Sequence, residues 1–489
     1  VDVDYLFNMF HNRIPEFASP ICNVVEPRNA RIKKCGIEHP TGQGSMKQHK
    51  TCSVTFDVVI PANLEHNPYA VLIMFGTHNH IPPPPHVTRM QQLQDIKNVL
   101  HPILTPQLTR AQFLNSTQLA AFLHLKGYQS IEDFSITFAN KNRLDRIITK
   151  EKLIMFPYGT GVGGVMYQQR QKDQFPESAY IRRIISSASA TIIICIFDSA
   201  AKILADQETF QMDMSYARCE SPWKELLLAI FHRSSGKLIS LGRIFTDKES
   251  PEIYQIGLTA FFGICSERVG RPIQWHHIHK QGFVGVTVDM DNKQAKGFAL
   301  YLQSIDPHKR SLDFHIQSTL RFCVAHFKRG VEKATIGETR EQDSSYGRMM
   351  QLLDCQTRDE YQQLVELLIT QETRESVQNW AIDKRSVNTA SGIAQCCSRI
   401  PKHNWNKLES TSNSAEQQGN KSYRSGKGLS LLAAVTASRK MDLQDLREYD
   451  AYDRYGIRHA YREKSTIQAR FSQSRSREMR TFSHLILNL

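Results

Sequence analysis

The spacing of apolar and polar positions changes character along the chain. "YAVLIMF" (69–75) reads as a strand, and the "GTHNHIPPPP" behind it closes a small module near residue 85, because four successive prolines continue neither a helix nor a central strand. Residues 86–180 carry a mostly helical pattern, strongest in "TPQLTRAQFLNSTQLAAFLHLKGY" (105–128). Beyond 180, β-branched runs alternate with helical stretches. "ATIIICIF" (190–197) predicts a buried strand leading into a helix at "DSAAKILAD", and "TFQMDMSY" (209–216) predicts a strand with Asp213 inside it. An acid in the middle of a strand needs a reason. Residues 225–246 read as a hairpin about Ser-Ser-Gly, and 250–270 as an amphipathic helix with Ser250 as N-cap and Pro251 at its first position. "GFVGVTVDMD" (282–291) is a strand ending in two acids, "NKQAKGFALYLQSI" a helix, "LRFCVAHF" a strand, and about 331–400 a long helical stretch containing Trp380.

Strand, strand, strand, helix, strand, helix, strand, helix is the element order of the ribonuclease H-like fold. In that fold the first strand is central and the strand after the first helix lies beside it. Asp213 and Asp289, 76 residues apart in sequence, would then meet at one edge of the sheet. Two carboxylates held together repel unless a cation sits between them. Asp291 shares the strand face of "VDMD" and competes with Asp289, which directly continues the apolar run. A third acid should come from a helix over the same end of the sheet, and Glu416 follows a Ser/Thr/Asn cluster suited to capping a helix start. Three such carboxylates suit two Mg²⁺ or Mn²⁺ ions and an in-line displacement at a phosphodiester, with no covalent enzyme intermediate.

Composition narrows the partners. At 489 residues the chain has room for two to four domains, and 61 Lys+Arg against 48 Asp+Glu leave a net charge of +13, which favours phosphate-rich polymers. No apolar run approaches the ~18 residues of a membrane helix, so a soluble protein is expected. The ten cysteines are dispersed, which points to a reducing compartment and gives Cys/His clusters a metal reading before a disulfide one. Cys35, Cys52, His78 and His80 form one such set for Zn²⁺, with Cys22 or His39 as substitutes, beside the basic run "RNARIKK" that holds Arg31, Lys33 and Lys34. Cys323 and His326 are either a buried thiol and a hydrogen-bonding histidine or half of a metal site completed by His277 and His279. On a strand, positions i and i+3 face opposite ways, so joint ligation needs the strand to end near Ala325. "GTGVGG" (159–164) matches a dinucleotide-binding turn, but Pro157 precedes it, no clear helical period follows before Pro176 and no repeated βαβ unit appears, so a nucleotide is not expected. The Arg-rich stretch 454–480 reads as a solvated or DNA-tracking tail.

Asp213 in "FQMDMSYARCE", Asp289 in "VTVDMD", the Cys323-x-x-His326 pair in "RFCVAHFKRGV" and Glu416 in "TSNSAEQQGN" together resemble the Mutator-like element (MULE) transposases, in the style of their fungal members, over roughly 180–460. The N-terminal Cys/His set resembles the WRKY-GCM zinc modules that precede many of them, although the 16 residues between Cys35 and Cys52 exceed the usual spacing. The resemblance implies an α/β protein with this organisation: a β-rich zinc and DNA-binding module at 1–85, a mostly helical connector at 86–180, a ribonuclease H-like catalytic core at 181–335, a helical insertion at 336–404, the end of the core with the Glu helix at 405–460, and a basic tail at 461–489. It further implies a nuclear transposase, homo-oligomeric on double-stranded DNA, that binds element terminal repeats and target DNA. Asp213, Asp289 and Glu416 would hold two Mg²⁺ or Mn²⁺, and Lys328 and Arg329 would reach the DNA backbone. Gln417 and Gln418 stand where the family often has a histidine, and no cysteine follows Cys397, which keeps open a domesticated, catalytically silent DNA-binding or regulatory protein.

Overall fold

The β-branched and apolar runs after residue 180 join a single seven-stranded mixed sheet in the computed structural model, which describes residues 54–63, 65–77, 87–172, 179–232, 234–341, 343–410, 421–424 and 426–457. The chain divides into two compact units, 1–157 and 158–489.

In the first unit, β1 (Thr55–Val59) pairs antiparallel with β2 (Val71–Phe75). The helical run at 105–128 forms two helices instead of one, Arg110–Leu114 and Thr117–Lys126, because Thr109 and Ser116 each accept a backbone N–H and start a new helix. Phe113, Leu119, Leu144 and Ile148 are buried together in the core of this unit. Beside them, burial tends to raise the Glu151 carboxyl, but hydrogen bonds from His101 at 2.8 Å and Lys97 at 2.9 Å hold it below its ordinary value.

The second unit begins with the glycine stretch that resembled a nucleotide turn. A helix, Val162–Lys172, begins within it, contrary to the expectation from the sequence. Gly164 serves packing: a Cβ there would stand 2.1 Å from the Gly159 carbonyl oxygen and 3.1 Å from Leu432. The sheet consists of β3 (Ile181–Ser186), β4 (Thr191–Cys195), β5 (Thr209–Ser215), β6 (Lys224–His232), β7 (Lys237–Thr246), β8 (Gly285–Val288) and β9 (Leu320–Phe322). Their spatial order is β3-β4-β7-β6-β5-β8-β9. β5, β6 and β7 form an antiparallel meander, whereas β8 pairs parallel with β5 and β9 parallel with β8. Each parallel step needs a crossover: α1 (Pro251–Val269) precedes β8, and α2 (Asn292–Ile305) precedes β9. Ser250 caps α1 as expected, and α2 crosses it closely at Gly297, where a Cβ would lie 2.6 Å from the Pro251 carbonyl oxygen. The helix Leu312–Thr319 and the strand β3 add to the elements the sequence predicted.

The two faces of the sheet differ in chemistry. One is apolar, with Phe210 set against Phe262 and Trp275 at ring separations of 5.9 and 6.1 Å. The other carries buried charge and packs on the long helix Leu431–Tyr455. Arg243 on β7, fully buried, donates through Nε and Nη2 to Asp442 of that helix at 3.0 and 2.7 Å, and through Nη1 to Glu225 at 2.5 Å and to Ser422 Oγ at 3.2 Å. Arg218, also fully buried, donates to the backbone carbonyls of Ser422 and Gly426, while Leu429 N–H donates to the Arg218 carbonyl at 3.0 Å. The strand that holds Asp213 is thereby tied through its following loop to residues 422–429.

His277 and His279 do not join Cys323 and His326. His277 bonds His315 at 3.0 Å and Thr319 at 3.2 Å, at the opposite end of β9 from Cys323, and His279 Nδ1 accepts the Trp275 N–H at 3.0 Å. Asp306, fully buried, is 3.4 Å from His315. Burial, then the neighbouring His315 and Arg310, depress His277 to about 3, and burial also lowers His315.

Two outcomes follow for stability. Replacing Arg243 by Met leaves Asp442 and Glu225 buried without their cation, and urea denaturation is expected to show a loss of ~3–5 kcal/mol. Because His277 is neutral in the folded chain but takes a proton near ~6.5 when unfolded, stability should fall as the pH drops from about 6.5 towards 3, by up to ~1.4 kcal/mol per pH unit for each such histidine. Denaturation curves at stepped pH, with His277→Asn flattening the slope, check this.

Candidate functional site

Register places the sequence-predicted residues. β5 and β8 pair Gln211 with Thr287, β8 and β9 pair Thr287 with Arg321, and the last β8–β9 pair is Val288 with Phe322. Carrying these parallel registers to the strand ends puts Asp213, Asp289 and Cys323 in one row. Adjacent strands lie ~4.8 Å apart, so the row is compact. Strand alternation places all three on the charged face of the sheet, since Phe210, Val286 and Val288 are buried on the other. Asp213 is half-buried between the buried Met212 and Met214.

Asp291 is not a strand residue. Its carboxylate caps α2, accepting through Oδ1 from Lys293 N–H at 2.7 Å and Gln294 N–H at 3.2 Å, which gives it a part outside the strand row. β8 accordingly ends at Val288, shorter than the predicted strand.

The stretch "LRFCVAHF" also divides differently from expectation. β9 stops at Phe322, Cys323 is the N-cap residue of α3 (Val324–Ala334), and His326 sits in the first turn of that helix. The i and i+3 positions therefore face the same way, as N-cap and third helical residues do. Cys323 N–H donates to the Val288 carbonyl at 2.9 Å, and Val324 N–H donates to the Ser410 carbonyl at 2.9 Å, which turns the chain out of the sheet. His326 Nδ1 lies 2.7 Å from Asp289 Oδ1. The three ligand-type atoms of Asp289, Cys323 and His326 all fall within 4.8 Å of one another, a grouping able to hold a metal ion. Hydrogen bonds to Asp289 and to Cys323 raise His326 to about 10, with burial opposing. Arg329 Nη1 also reaches His326 Nε2, at 3.1 Å, and since an arginine only donates, that contact favours the neutral ring and limits the rise.

The surroundings are acidic with a few cations among them. Tyr216, just past β5, is pushed well up by burial and then by the charges of Glu249, Asp291 and Asp289. Burial tends to raise Glu249, but Lys224 at 2.6 Å holds it low. Lys328 and Arg329 are both exposed on α3.

The chain approaches this face on both sides of residues 411–420. Thr287 Oγ1 donates to the Glu409 carbonyl at 2.8 Å, and Ser215 and Tyr423 share a hydroxyl hydrogen bond of 2.8 Å. Glu416 itself lies outside the described residues, as do Cys35, Cys52, His78 and His80 and the basic residues Arg31, Lys33 and Lys34. The buried set of Arg218, Glu225, Arg243 and Asp442 was missed by the sequence reading. A signal existed, because Arg243 interrupts the apolar strand "LISLGRIF" as Asp213 interrupts "TFQMDMSY".

No protein-family profile matches the chain, and no curated protein matches it.

The contact between Asp289 and His326 has a spectroscopic consequence. The imidazole of His326 should titrate above the ordinary ~6.5, and Asp289→Asn should bring it back towards that value. Nitrogen-15 NMR of histidine-labelled protein across about pH 5–11 reads both.

Proposed function

We propose that the chain is a DNA transposase of the Mutator-like type, whose ribonuclease H-like domain cleaves and joins phosphodiester bonds. The observation that carries this reading is the shared row of Asp213 and Asp289 on neighbouring parallel strands, next to Cys323 and His326. The five strands β7-β6-β5-β8-β9, with three antiparallel and two parallel members about β5, support the ribonuclease H-like assignment.

The residues fit a hard divalent ion. Asp213 and Asp289 offer carboxylate oxygens at one level, and Glu416 is the proposed third ligand, with the chain held on the same face at Glu409 and Tyr423. Two Mg²⁺ or Mn²⁺ bound there would supply Lewis-acid stabilisation of the attacking and leaving oxygens. The chain's own residues orient and hold: His326 fixes the Asp289 carboxylate, Lys328 and Arg329 face solvent for phosphate contacts, and Tyr216 and Glu249 border the acids. Double-stranded DNA with terminal repeats is the proposed substrate, bound by an oligomer in the nucleus. A zinc module at Cys35, Cys52, His78 and His80 and basic contacts at Arg31, Lys33 and Lys34 would bind the element ends.

Cleavage and strand transfer on DNA carrying the element's terminal repeats test the reading. Asp213→Asn and Asp289→Asn should each lower the rate by ~10²–10³-fold, in keeping with the several kcal/mol a metal-held transition state is worth. Equal rates in wild type and both variants would refute the triad. Binding of the repeats by a wild-type chain that never cuts them would assign the silent, regulatory alternative.

A further inference from the structure

Asp289, Cys323 and His326 bring a carboxylate oxygen, a thiol and an imidazole nitrogen together. Hard ions such as Mg²⁺ make no use of sulfur, whereas thiolate with imidazole selects borderline-soft ions such as Zn²⁺ and Co²⁺. Cys323 is fully buried, while the side chains of Asp289 and His326 remain 22% and 26% exposed, so an ion held by the three donors would still reach solvent on the carboxylate and imidazole side. Three protein donors with a solvent-reachable side suit a zinc ion that takes water as its fourth ligand. We infer that Asp289, Cys323 and His326 form a binding site for a thiophilic divalent ion, Zn²⁺ foremost.

The geometry needs little change to accept it. Nδ1 of His326 and Oδ1 of Asp289 are 2.7 Å apart. Bonds of ~2.0–2.1 Å in a tetrahedron set such atoms ~3.3 Å apart, so the pair opens by roughly 0.6 Å. The ion takes the place of the hydrogen on Nδ1, and the thiol proton leaves to solvent. In the neutral ring that hydrogen passes to Nε2, so the Arg329 guanidinium, now 3.1 Å away, must turn outward, which its exposed place on α3 allows.

This site is defined without Asp213 or Glu416, and it stands whether or not the chain cuts DNA. Where the proposed phosphoryl-transfer centre also holds, the two compete for Asp289, and Zn²⁺ would act against DNA cleavage.

Co²⁺ titration of the full-length chain tests the inference, in a Cys22→Ser, Cys35→Ser, Cys52→Ser background that removes the thiols of the N-terminal set. One equivalent with a sulfur-to-cobalt charge-transfer band, displaced by Zn²⁺, is expected. Cys323→Ser should abolish the band, and Asp289→Asn should weaken binding by at least the ~10–100-fold that loss of a supporting group costs. Arg329→Ala should tighten it. Circular dichroism melts establish that each variant is folded, and if Cys323→Ser is not, Asp289→Asn and Arg329→Ala decide the matter. No band, or a band of unchanged affinity in the folded variants, overturns the site. Neither result depends on whether the chain cleaves DNA.

Discussion

The parallel pairing of β8 with β5 and of β9 with β8 is the constraint on which the candidate site depends. Parallel neighbours cannot be joined by a tight turn, so each register is set by the packing of crossover helices and not by a local loop. Here the apolar face does that work. Phe210, Val286 and Val288 are nearly or fully buried on the side of α1 and α2. A slip of one residue in β5 or β8 would turn Phe210, or Val286 and Val288, onto the charged face and Asp213 or Asp289 onto the apolar one. The position of two carboxylates on one side of the sheet is thus enforced by hydrophobic side chains on the other.

The buried charges act in a different way. A guanidinium and two carboxylates removed from water gain little net stability over apolar residues of the same volume, because desolvation offsets their attraction. What Arg243 and Arg218 add is place. Arg243 joins β7, β6 and the helix Leu431–Tyr455 through fixed donor directions, and Arg218 holds two carbonyls of the segment entering that helix. An apolar contact would let that segment slide, whereas a forked donor with defined acceptors does not.

How much could be read in advance follows from the range of the interactions involved. β4, β5, the β6–β7 hairpin and α1 are dictated by local patterns, a Ser-Pro start and a Ser-Ser-Gly turn, and they form close to where the sequence puts them. Asp213 and Asp289 were legible for the same reason, as acids attached to apolar runs. The end of β9 was not. "LRFCVAHF" alternates through Phe327, and nothing local distinguishes Phe322 from Val324. The decision belongs to the Ser410 carbonyl, which accepts the Val324 N–H and starts α3. Likewise Asp291 resembles a second strand acid until α2 is seen to begin one residue later.

That same strand end explains why Cys323 and His326 belong with the acids. Had β9 run on, the imidazole would point to the far face of the sheet. With the helix starting at Val324, His326 turns back and bonds Oδ1 of Asp289. A carboxylate has two oxygens and about four lone-pair sites, so one imidazole orients the group without exhausting it. The outcome depends on what else arrives. A hard cation bridging towards Asp213 would leave His326 as an orienting partner, whereas a thiophilic one would recruit His326 and Cys323 as ligands and draw Asp289 away from its neighbour. The chemistry of this face is therefore governed by which donor atoms compete for one carboxylate, and the turn from β9 into α3 is what creates the competition.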